Sequence, residues 1–125
     1  MKTELVKIVT EIDNIIRKEL WFDFHVFQYD GRRLIVAGGI DLHYFHTLEV
    51  IFNNVFFFSG YFDGWHSDTK NSVFVIPDND SDLNKNYEII HGYQLFKFVT
   101  EDFRNDVIIA AETVTYNLNT VNYLN

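Results

Sequence analysis

The chain has 125 residues, no Cys, and 18 acidic against 10 basic side chains, for a net charge of −8. The missing Cys excludes disulfides, thiolate zinc sites and cysteine nucleophiles. Scattered Lys and Arg disfavour nucleic acid and anionic membrane surfaces as ligands, since both demand clustered positive charge. A hydrophobic content of 47%, with 13 Phe and 7 Tyr, supplies one core for a single domain, 1–125.

Residues 3–20 read as an amphipathic helix, with Leu5, Ile8, Val9, Ile12, Ile15, Ile16 and Leu20 at helical spacing. Lys7 and Glu11 interrupt any apolar run here, so the stretch is not a signal peptide. No apolar run approaches the length of a spanning helix, and a soluble, cytoplasmic protein is expected. Residues 21–29 and 32–38 follow as a hairpin about Asp30-Gly31, with Val26 facing Ile35 and Phe24 facing Ala37.

The stretch 44–62 forms the predicted centre of the sheet. Asn tolerates positive φ, so Asn53-Asn54 reads as a two-residue turn between arms 43–52 and 55–62. That register puts Leu48, Val50, Phe52, Val55 and Phe57 on the core face. Phe45, Thr47, Glu49, Ile51, Phe56, Phe58 and Phe62 fall on the other face, which a curled sheet or a second subunit would cover. A homodimer through the Phe56/Phe58 face is one expectation.

Residues 63–72 read as a loop, 73–76 as a short strand stopped by Pro77, and 78–86 as a polar loop. Tyr87–Val99 and Val107–Tyr116 read as the last strands, and Asn117–Asn125 as a fraying tail. The expected fold is α+β: an N-terminal amphipathic helix on a curled antiparallel sheet of about seven strands, in meander order. A small β-barrel with a helix is the alternative.

Few residues point to chemistry. Asp78, Asp80 and Asp82 match three positions of a calcium loop, but the sixth is Leu83 and the twelfth Ile89, so a solvated connection is expected. His43 and His46, three apart on a strand, would fall on opposite faces and share no metal. Trp65-His66-Ser67-Asp68 names the residue types of a hydrolase triad without an elbow or an oxyanion hole. No Gly-x-Gly-x-x-Gly or phosphate loop occurs, and no catalytic residue, metal or cofactor is assigned.

Two surfaces remain. In a meander, the 39–42, 63–72 and 100–106 connections gather at one end. Asp41, Asp63, Trp65, His66, Asp68, Glu101, Asp102 and Asp106 would then form an acidic rim with an exposed Trp, suited to a basic protein partner. Alternatively, a curled sheet encloses an aromatic-lined pocket at His46, Glu49 and Tyr61, for a small molecule or a minor enzyme activity.

The run His-Tyr-Phe-His-Thr-Leu-Glu-Val-Ile-Phe-Asn-Asn-Val, then a Trp after a loop, then Leu-Phe-Lys-Phe-Val-Thr-Glu-Asp and Val-Ile-Ile-Ala-Ala-Glu-Thr-Val, resembles small bacterial proteins of unknown function. Some of these are immunity proteins of polymorphic toxin systems. The resemblance spans residues 43–116 and implies a small, acidic, non-enzymatic cytoplasmic protein that binds another protein. It carries no residue role with it.

Overall fold

The computed structural model describes residues 2–124. Met1 and Asn125, which belong to the expected domain and tail, lie outside the described residues. Helix α1 (Lys2–Ile16) buries Val9, Ile12 and Ile16 and leaves its other faces to solvent. It stops four residues short of the predicted end, and Leu20 is exposed. The loop at Thr69 takes hold of the chain there. The Arg17 guanidinium donates to the carbonyls of Thr69 and Lys70 at 3.1 and 2.8 Å. The Thr69 hydroxyl donates to the Glu19 carbonyl at 2.5 Å.

Strands β1 (Trp21–Asp30) and β2 (Arg33–Gly39) form the expected hairpin in a shifted register. The turn residues are Gly31 and Arg32, with φ of 57° and 70°. Both central positions of such a turn need positive φ, and the chain takes them one step later than Asp30-Gly31. The later turn moves each partner by two, and a bulge between Val26 and Gln28 takes one back, so Val26 pairs with Val36 and Phe24 with Gly38, not with Ile35 and Ala37.

The Asn53-Asn54 turn does not exist. After β3 (Phe45–His46), residues Leu48–Ser59 form one unbroken strand, β4. Only Asn54 of the pair has positive φ, at 54°. A two-residue hairpin needs two such residues. The pairing partners also lie elsewhere: β2 along 48–52, and β8 (Val107–Asn117) along 49–59. The register shifts between Val55 and Phe57. That shift reverses the expected faces beyond it: Phe58 packs against the main core, and Phe57 turns to the outside.

The remaining elements are β5 (Trp65–Asp68), β6 (Phe74–Val75), α2 (Asp80–Asn86), β7 (Gln94–Phe98) and β9 (Val121–Asn122). The expected loop 78–86 is thus mostly helical. The strand expected from Tyr87 begins only at Gln94. The expected tail carries a strand that pairs with β3.

The main sheet is seven-stranded, in the order β5-β1-β2-β4-β8-β7-β6, with every pair antiparallel. It is not a meander, because β5 returns to the far side of β1 and β8 pairs with β4. The sheet curls into a half-barrel. At its rim the Glu101 N–H donates to the His66 carbonyl at 2.8 Å, and Ser67 Oγ to the Val99 carbonyl at 2.6 Å. Inside lie Phe22, Phe24, Phe52, Phe74, Phe96, Phe98 and Trp65, with Phe24 4.9 Å from Phe98 and Phe52 5.5 Å from Phe96 between ring centroids. Helix α1 covers this core beside β6 and β8. The buried Asp13 carboxylate accepts from the N–H groups of Val73 and Phe74 at 2.7 and 2.9 Å. It satisfies backbone donors that burial would otherwise leave unpaired. Outside, Leu83, Ile89 and Tyr93 pack on Leu95, Ile108 and Ala110.

Candidate functional site

Two sites emerge, both including side chains that β1 turns away from the core. On β5 the alternation is strict: Trp65 and Ser67 point inward, His66 and Asp68 outward. His66 Nδ1 lies 2.5 Å from Asp23 Oδ1, and Nε2 lies 3.4 Å from Glu101. The His66 N–H donates to both carboxylate oxygens of Asp102, at 3.1 and 3.2 Å. So the 63–72 and 100–106 connections do gather, with β1 supplying a further carboxylate. The 39–42 connection joins them through Trp21, which pairs with Asp68 and whose indole N–H donates to the Ile40 carbonyl at 3.1 Å.

The expected exposed Trp is a correction. Trp65 is 3% exposed and sits between Phe24 and Phe98, at 5.8 and 5.4 Å. Burying a large ring on the inward side of a strand outweighs its place in a polar sequence. The exposed aromatics of the rim are others. Phe62, beside Asp63, is 77% exposed. Phe103 stacks on Tyr61 at 3.8 Å, while the Tyr61 hydroxyl donates to the Asn105 carbonyl at 2.9 Å. Asp63, Glu101 and Asp102 are exposed around them. Asp106 faces Lys97 at 3.8 Å. Ser67 and His66 lie on opposite faces of one strand, so the residues of the triad-like run do not converge.

The second site follows from register. His25 pairs with Ala37, and Ala37 with Glu49, in one row across three strands on the outer face. His46 of β3 joins this row through Glu49. Gly39 makes the approach possible, since a Cβ there would lie 3.3 Å from His46 Cα. His46 is fully buried, with Nε2 2.7 Å from Glu49 Oε2. Its Nδ1 lies 2.5 Å from Tyr123 Oη, and His25 Nε2 lies 3.1 Å from the same oxygen. Phe27 stands edge-on to His46 at 4.8 Å and stacks on Tyr123 at 6.2 Å.

The bond directions are forced when both imidazoles are neutral. The Glu49 carboxylate can only accept, so His46 Nε2–H donates to it. His46 Nδ1 then accepts from the Tyr123 hydroxyl, whose oxygen accepts from His25 Nε2–H. Burial, and next the charge of His46, hold the His25 pKa below its ordinary 6.5. Burial, and next the Glu49 carboxylate, push the Tyr123 phenol above 10.0.

The expected pocket residues are thus split. His46 and Glu49 meet, but Tyr61 lies on the rim and Tyr123 takes the place given to it. Glu49 also lies against His46 where Phe45, Phe56 and Phe58 were expected around it. Tyr123 carried no signal: Val121–Asn122 is too short a strand for alternation to mark. His43 lies in a turn, its N–H donating to Asp41 Oδ1 at 3.3 Å. Asp80 and Asp82 form the first turn of α2, where helical spacing replaces the loop that calcium ligation needs. Among the described residues, no three His, Asp or Glu side chains gather as a metal site would require. Among them too, no helix is long and apolar enough to cross a membrane. No protein-family model, no curated protein and no solved structure matches the chain.

Proposed function

We propose that the chain is a non-enzymatic protein-binding protein whose acidic rim receives a basic partner, in the manner of an immunity protein masking a toxin surface. The observation that carries this reading is the gathering of Asp23, Glu101 and Asp102 about His66, with Phe62 and Asp63 exposed on the adjoining connection. Exposed rings give an interface its anchors, and surrounding carboxylates select and steer a cationic partner. The net charge of −8 adds to that steering. The test is retention of proteins from the source cells on immobilised chain, wild type against an Asp63→Lys/Glu101→Lys variant of unchanged circular dichroism. Both positions are exposed and outside the core. Loss of a basic protein supports the rim, and identical retention overturns it.

A second reading has one observation in its favour. Val26, Tyr29, Leu34, Val55, Phe56, Phe57, Phe58 and Phe62 line an apolar groove of about 250 Å³. Self-association through Phe56 and Phe58 would cover it. Light scattering of wild type and Phe56→Lys decides this: a dimer that the variant breaks supports it, and a wild-type monomer at high concentration rejects it.

A further inference from the structure

We propose that His25, His46, Glu49 and Tyr123 form a proton-operated latch, which holds the segment 118–124 on the outer face of the sheet near neutral pH and releases it in acid. The hold on this segment is thin. Strand β9 makes two residue pairs with β3, and the Tyr123 N–H donates to the Tyr44 carbonyl at 2.8 Å. Leu118 and Leu124 are exposed and anchor nothing. Beside the half-buried Val121, the hold rests on the Tyr123 ring against Phe27, His25 and His46 and on its hydroxyl between the two imidazoles.

Counting donors shows why acid opens it. With both imidazoles neutral, every polar atom of the row has a partner. One proton is taken up without loss. His46 becomes a double donor, to Glu49 and to Tyr123, and the Tyr123 hydroxyl turns to donate to His25 Nε2. A second proton has no such escape. His25 and His46 then both donate to one phenol oxygen, its own hydrogen has no acceptor in the row, and two cations face each other across it. The lowered pKa of His25 has this repulsion as its second cause, after burial.

Groups on the packed elements do not relieve the second charge. Strand β1 adds Asp23, already taken by His66, and β2 offers only Ala37 and Gly39 on this face. Strand β4 adds Glu49, which serves His46, and β8 adds Asn117 beside it. The turn before β3 carries Asp41, His43 and Tyr44, with Asp41 bonded to the His43 backbone.

The test is amide hydrogen exchange of residues 121–123, corrected for intrinsic rate, at about pH 7.5 and about pH 5. Emission of the buried Trp65 is followed alongside to report the core. Wild type should lose protection about tenfold or more in acid with that emission unchanged. His25→Gln, which cannot take the second proton, should keep its protection. Tyr123→Phe, which keeps the ring and removes the shared oxygen, should lose most of the acid step. Equal protection of wild type at both pH values overturns the latch, and so does a full acid step in either variant. A Trp65 change at the same pH would mean global unfolding, and also overturns it.

Discussion

The two faces of strands β1, β2 and β4 carry opposite kinds of order. Inside, Phe22, Phe24, Val36, Leu48, Val50 and Phe52 join a core of rings and branched aliphatics. Outside, one row across the same strands holds His25, Ala37 and Glu49, closed by His46 and Tyr123. Burial of apolar area has no direction, so the inner face requires volume and little else. The outer row requires each donor to meet one acceptor, and a single missing atom leaves another buried and unpaired. The inner face therefore sets how stable the protein is. The outer row sets under which conditions one segment stays in place.

Breaking each side should separate them. Phe52→Ala, in the middle of the ring cluster with Phe74, Phe96 and Phe98, should cost about 3–5 kcal/mol in urea unfolding. Its loss should not depend on pH near neutrality. Glu49→Ala leaves the His46 Nε2–H buried without an acceptor and should cost about 1–3 kcal/mol. Glu49→Gln keeps an acceptor oxygen and should recover part of this in the same measurement.

The pH series is a smaller and sharper probe. The folded pKa of His25 lies below 6.5, so the unfolded chain takes up that proton first as pH falls. Its contribution is complete above 6.5 and declines as pH drops through the folded value. The difference between wild type and His25→Gln in urea midpoint should follow that window. Smallest of all, Asp63→Lys should leave stability within about 0.5 kcal/mol, since the residue is exposed and off both faces. A larger loss would mean that the rim is structural.

Legibility differed between the faces for the same reason. The hydrophobic period of α1, the alternation of β1 and the continuous apolar runs of β2 and β8 mark the core directly, because burial selects residue type position by position. Of the expected rim, Glu101 and Asp102 meet His66, while Asp23 joins them unannounced and Trp65 lies inside. The outer row was half visible. Glu49 in an apolar strand and His46 three residues before it could be singled out. Tyr123, 77 residues from His46, could not.

The central strand shows the limit most clearly. Asn53-Asn54 has the chemistry of a turn, yet the pair also fits within a continuous strand. The choice fell to β8, which pairs along 49–59 and holds the strand straight through the pair. By itself the sequence determined an amphipathic helix, an aromatic antiparallel sheet and an acidic surface, since these follow from residue type and short-range period. Strand order, the reversal of Phe57 and Phe58, and the meeting of His25, His46, Glu49 and Tyr123 were decided only in three dimensions. Each depends on pairing between segments far apart in the chain, and local propensity carries no information about that distance.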